Sequence, residues 1–274
     1  MAVGDISLSA SARANLSALQ NTAALLQTTQ QHLSTGKTVN SASDNATAYF
    51  ASQGFLQRAN SLATVKNNLS TALTTVNSVT QSISQVETVV NQLQGFVTQA
   101  LGTTDTNTRA GLASQFNALL TQLDLLVNDA TFNGTNLLNS ASSNNLVVYF
   151  NETNTTALTI TGVNISHTGL NISTAANAFA TTDNINTAGS LLLTALSTLR
   201  TDAANFGGNA TLIQTRTDFT SGLINGLQNA SNNLTQADTN TEGANLQALQ
   251  AQNQLGIVSL GISGQLAQAI LRIL

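Results

Sequence analysis

Residues 62–100 read LATVKNNLSTALTTVNSVTQSISQVETVVNQLQGFVTQA. Stepping through them by alternating threes and fours lands on Leu62, Val65, Leu69, Ala72, Val76, Val79, Ile83, Val86, Val90, Leu93, Val97 and Ala100, and every one is apolar. Asn, Ser, Thr and Gln fill most of the gaps. This is a heptad seam sustained over more than five repeats, the mark of a helix packed along its length on other helices. At 1.5 Å per residue it is about 58 Å long. Thr, Ser and β-branched residues have mediocre helix propensity, so the helix depends on its partners. The core seam is assigned to Leu69, Val76, Val79, Ile83, Val86, Val90 and Leu93.

Outward from this helix the pattern recurs. Ala12, Leu16, Leu19, Ala23, Leu26 and Leu33 carry a similar spacing near the N-terminus, with Gln30 as a polar exception. Ser34 to Asn45 is a connector. Arg109 to Asn128 predicts a helix with Leu112, Phe116, Leu119, Leu123 and Leu126 on one face, antiparallel to the long one after a turn at 102–107. Phe132-Asn133-Gly134-Thr135 carries an Asn-Gly turn. Residues 146–150 (LVVYF) and 158–161 (LTIT) predict strands, and 163–172 a further hairpin. From Ala130 to Thr182 the only charged side chain is Glu152, which suggests a β insert projecting away from the helices.

Helix resumes near Thr187, with a face at Leu192, Ala195 and Leu199 that Gly207-Gly208 weakens. A heptad run follows at Leu223, Leu227, Ala230, Leu234 and Ala237. Gly222 and Gly226, four apart, permit close backbone approach. A last helix from Ala244 carries Leu255, Val258, Ile262, Leu266, Ala269 and Ile273 on one stripe. The layout is helices at both ends and strands in the centre. The fold class is therefore mainly α: a long antiparallel coiled-coil bundle formed by both chain ends, with a small central β-hairpin insert.

Composition narrows the function. Of 274 residues only 7% are charged, against about 25% in ordinary soluble domains. A monomer keeps a charged surface for solubility, so much of this surface is expected to be covered by other copies. Eight basic against twelve acidic residues argue against nucleic acid as a partner, since phosphate contacts need clustered Lys and Arg. Absence of Cys excludes disulfides and thiolate metal sites. Absence of Pro leaves long helices unkinked. The most apolar stretch, 255–274, is broken by glycines, glutamines and Arg272, and it does not read as a membrane span. No basic, apolar leader opens the chain, so no cleaved secretion signal is expected.

Motifs for chemistry fail one by one. Gly36-Lys37-Thr38 resembles the tail of a phosphate-binding loop, but the required upstream Gly is replaced by Gln31. His32 and His167, the only histidines, lie far apart in sequence; His32 reads as a solvated helix residue. No zinc-hydrolase pair, serine elbow or calcium loop is present. The chain is expected to be neither an enzyme nor a holder of any cofactor or metal.

Three stretches then resemble bacterial flagellin, the filament protein. Residues 33–46 (LSTGKTVNSASDNA) are similar to the family's connector before its long core helix. Residues 132–138 (FNGTNLL) are similar to its turn after the second core helix. Residues 236–256 (QADTNTEGANLQALQAQNQLG) resemble the C-terminal signature in its alphaproteobacterial form, and QLAQAILRIL from Gln265 fits the same end. The resemblance implies a subunit of the bacterial flagellar filament, exported by the flagellar type III apparatus with an export chaperone. It would polymerise with itself and meet the filament cap and hook-associated proteins, outside the cell. It also implies a division into terminal helices of the inner core (1–40 and 238–274), an outer-core bundle (41–131 and 186–237) and a short surface insert (132–185). Subunit contacts are expected at Leu16, Leu19, Leu26, Leu33, Leu255, Val258, Ile262, Leu266, Ile270 and Ile273. Two alternatives stand beside it. A hook–filament junction protein shares the terminal helices but has a less flagellin-like C-terminal signature. A coiled-coil signalling module would carry charged flanking positions and no central strands.

Overall fold

The computed structural model describes residues 10–139 and 144–273, with the side chains of Ala267 and of 270–273 outside that description. In chain order the elements are α1 (Ala10–Thr35), α2 (Ala46–Leu101), α3 (Thr106–Asp129), β1 (Asn145–Tyr149), β2 (Ala157–Thr161), a one-turn 3-10 segment (Ala176–Phe179), α4 (Thr182–Thr235) and α5 (Thr239–Ile273). They form two compact units. One is built from the two chain ends, up to Arg58 and from Gly226; the other is Ala59–Asn225.

The second unit holds the main core. All twelve seam positions from Leu62 to Ala100 are buried. Leu69, Val76, Ile83, Val86, Val90 and Leu93 reach 0% exposure. The sequence period therefore identifies this face residue by residue. α3 is rotated from its expected stripe. Its buried positions are Arg109, Ala113, Phe116, Leu120, Leu123 and Val127, and the expected Leu112, Leu119 and Leu126 flank them half-buried. The buried face includes Arg109, a charged residue. Its Nε donates to the carbonyls of Ala100 (3.2 Å) and Thr103 (2.8 Å), and a terminal nitrogen to that of Ala180 (3.4 Å). The Ala100 carbonyl in the last turn of α2, and that of Thr103 in the turn beyond it, thus receive a cation, the charge that a helix C-terminus favours.

Caps set the ends of the helices. Asp105 accepts from the Thr108 N–H at 2.8 Å and starts α3. Asn45 accepts from the Ala48 N–H at 3.0 Å at the start of α2. Asp238 accepts from the N–H groups of Asn240 and Thr241 at the start of α5. Each removes an orphan donor of the first turn. α4 and α5 begin at Thr182 and Thr239, earlier than the apolar pattern alone suggests, and α4 runs through Gly207-Gly208 unbroken.

The central segment corrects an expectation. It does not project away from the helices. β1 and β2 pair antiparallel, with Leu146 opposite Ile160 and Val148 opposite Leu158. Val148, Ile160, Ile165, Leu170, Ile172 and Phe179 all join the helical core. Low charge here signals burial, because alternate strand residues pack inward. Residues 163–172 form turns tied to Leu137 and Leu138, and add no strand. The Asn133-Gly134 turn has positive φ at both residues (49° and 79°), closed by reciprocal Phe132–Thr135 backbone bonds of 2.9 Å. Asn177, Ala178 and Phe179 also take positive φ. That costs about 1 kcal/mol per residue and is offset by Phe179, fully buried edge-on against Phe116 at 5.3 Å.

Candidate assembly interface

α1 and α5 form an antiparallel pair held by matched positions that run in opposite directions. Asn15 donates to Ser259 (3.1 Å) and Ser263 (3.4 Å). His32 Nδ1 meets Glu242 Oε1 at 2.9 Å. At Gly256 an added Cβ would stand 2.9 Å from Leu19 Cδ1, so a side chain there would displace the Leu19 methyl that packs on this glycine. His32 is thus no solvated residue: its side chain is 18% exposed and paired. Lys37, from the loop-like triplet, bridges backbone to backbone with Gln236 instead, and the Ala237 N–H donates to Gly36.

The seam between these helices is unexpectedly polar. On α1 the inward positions are Ala12, Asn15, Leu19, Thr22, Leu26 and Thr29 at heptad spacing. On α5 they are Glu242, Leu246, Leu249, Asn253, Gly256, Leu260 and Ser263. The most apolar residues of α5 face elsewhere. Leu255 is 69% exposed, Val258 59%, Ile262 52% and Leu266 59%, with Ile257 and, on α1, Leu25 also exposed. Of the expected contacts, Leu16, Leu19, Leu26 and Leu33 are half-buried. Leu19 meets α5 of the same chain. The side chains of Ile270 and Ile273 lie outside the described residues. α5 is therefore an amphipathic helix whose second apolar stripe is left more than half exposed by the described residues of its unit. Stripes of this kind mark association surfaces.

The motifs that suggested the family have local jobs. Asp44 accepts from the N–H groups of Asn40 and Ser41, both at 2.9 Å, and these bonds hold its carboxyl below the ordinary carboxylate range. Asn136 caps the far end of α3, donating to Val127 (2.8 Å) and accepting from the Leu138 N–H (2.9 Å). Asp238 is likewise shifted down, chiefly by the Thr241 hydroxyl and N–H. Among the described residues no group of three or more His, Cys, Asp or Glu could hold a metal. His167 is spent on Asp124, at 2.6 Å. No helix among them is long and apolar enough to cross a membrane.

Comparison with known proteins now decides the family. Residues 6–143 match the model for the bacterial flagellin N-terminal helical region. The chain belongs to the bacterial flagellins. Flagellin FljM of Caulobacter vibrioides is 28% identical over 275 residues, spanning 99% of this chain and 98% of that protein. A flagellin of Brucella melitensis is 26% identical over 282 residues, spanning 98% of each. Among solved structures, Bacillus cereus flagellin aligns with 56% of this chain and 88% of its own at a TM-score of 0.49 and 16% identity. Flagellins are structural, non-enzymatic proteins that self-polymerise into the extracellular filament used for swimming. Nothing supports the junction-protein or signalling alternatives.

Proposed function

We propose that this flagellin assembles through its terminal hairpin, with the α5 stripe as the principal contact between subunits. The observation that carries the reading is the second, uncovered apolar stripe of α5. The face turned to α1 mixes Leu246, Leu249 and Leu260 with Glu242, Asn253, Gly256 and Ser263, while Leu255, Val258, Ile262 and Leu266 stay more than half exposed. In this reading residues 1–40 and 238–274 line the inner core of the filament. Residues 41–131 and 186–237 form the outer bundle, and 132–185, packed on that bundle through Val148, Ile160 and Phe179, turn their outer side to the filament surface. Export through the flagellar type III apparatus with a chaperone, growth under a cap and attachment through hook-associated proteins complete the scheme. The seeded-assembly test is deletion of residues 265–274. The truncated chain should keep the helicity of the Ala59–Asn225 unit and lose polymerisation; stable filaments from it would refute the reading.

A further inference from the structure

Two uncovered features lie within the Ala59–Asn225 unit, one convex and one concave. The convex feature is a face of α4. Phe219 is 64% exposed and Leu212, one heptad before it, 40%. Thr215 and the exposed Arg216 sit between them, and Gly208 and Gly222 lie at either end, with nothing within 4 Å of where a Cβ would stand. The ring therefore stands clear of its surroundings. The concave feature is a cleft of roughly 410 Å³ between α2 and the hairpin. Asn68, Thr71 and Ala72 form one wall, and Phe132, Val147 and Tyr149 the other; no charged side chain lines it. Val147 and Tyr149 are 46% and 44% exposed.

We infer that Phe219, with Leu212, seats in this α2–hairpin cleft of a second copy of the chain, forming an outer contact separate from the α5 stripe. The inference rests on self-polymerisation, and the occupant follows from it. An open helical polymer needs heterologous contacts, in which two different patches of one chain complement each other. This unit offers such a pair. An exposed aromatic knob flanked by Leu is the kind of side chain that anchors interfaces. An uncharged cleft with two aromatic rings in its wall suits it, since rings favour edge or offset contact. Neither surface is occupied by any other described part of this unit. The cleft lining carries no charge, and the one cation beside the knob, Arg216, lies with its guanidinium over the Phe150 ring, 4.9 Å from the ring centre.

The chain has no Cys, which makes the test clean. The double variant Phe219→Cys/Asn68→Cys, and separately Leu212→Cys/Tyr149→Cys, is assembled under reducing conditions and checked by electron microscopy. The filaments are then treated with a short bifunctional thiol cross-linker. The inference expects a ladder of multimers from each double variant and none from the single variants. Intact filaments without a ladder overturn it, as does dimerisation of Phe219→Cys alone, which would mean a symmetric contact. Independently, Phe219→Ser should raise the critical concentration for assembly at least tenfold at an unchanged monomer melting temperature. An unchanged critical concentration overturns the inference while leaving the terminal-hairpin reading intact. That reading fails separately, on filaments formed by the 265–274 deletion.

Discussion

Consider Ile262 against Ile83. Ile262 is 52% exposed on α5, whereas Ile83 is 0% exposed in the main core. Full burial of such a side chain is worth about 1.5–3 kcal/mol, so covering the remaining half of Ile262 contributes about 1 kcal/mol per subunit. Ile262→Ala should then leave monomer stability within ~0.5 kcal/mol and raise the critical concentration about fivefold. Ile262→Asp would bury an unpaired charge in the polymer at a cost of several kcal/mol, more than about a hundredfold in critical concentration. Ile83→Ala should act in the opposite register. It loses about 2–5 kcal/mol of folding stability through the cavity it leaves. Denaturant titration of monomers and sedimentation of seeded filaments separate the two effects. If Ile262→Asp assembled at the wild-type concentration, or unfolded the monomer as Ile83→Ala does, the division of labour drawn here between core and stripe would be wrong.

Other expectations follow from local chemistry. Arg109→Leu should destabilise the monomer by about 1–3 kcal/mol for each buried carbonyl left unpaired, read by thermal melting; an unchanged midpoint would mean that water replaces the guanidinium. Asp44, Asp105 and Asp238 are all held below the ordinary carboxylate value by hydrogen bonds to the charged form. Their contribution is present above the unfolded value near pH 4 and is lost as pH falls through the folded values; Asp238→Asn should flatten the acid limb of a melting-versus-pH curve. Asp202 is shifted the other way, raised by burial in its position between Leu199 and Phe206. Its charged form therefore opposes folding above the unfolded pKa, and Asp202→Asn should raise the melting temperature at pH 7 but not at pH 3. Gly256→Leu should push α1 from α5 and lower the helicity of the terminal hairpin, measured by circular dichroism.

The long seam was legible because all twelve of its residues are apolar and all twelve are buried. The strands were legible too, through the LVVYF and LTIT runs, which fall on β1 and β2 to within a residue. Elsewhere the apolar pattern misplaced the phase. Of the run expected at Leu223, Leu227, Ala230, Leu234 and Ala237, Leu227 and Ala237 are buried, but Leu234 is exposed and Ile224, Ser231 and Thr235 take the other inward places, continuing a stripe from Ile213, Thr217 and Thr220. Thr217 and Thr220 can face inward because their hydroxyls donate to the carbonyls of Ile213 and Arg216 four residues back. Polarity at those positions thus carries little desolvation cost, and a hydrophobicity count cannot see that. The same holds for Asn15 and Ser259 between α1 and α5. Arg109 and the positive-φ turn at 177–179 left no trace in the sequence, since neither a buried Arg nor a left-handed Ala-Phe pair has a local signal. The α5 stripe was legible as apolar residues; that it points away from α1 was not.

A reconstruction of the filament at side-chain detail tests the central claim most directly, through the solvent exposure of one stripe. Leu255, Val258, Ile262 and Leu266, now between 52% and 69% exposed, should all become buried against neighbouring subunits, with Asn15 still bonded to Ser259 inside each chain. Finding those four side chains facing open solvent, or the α1–α5 pair turned so that they face α1 instead, would contradict the account.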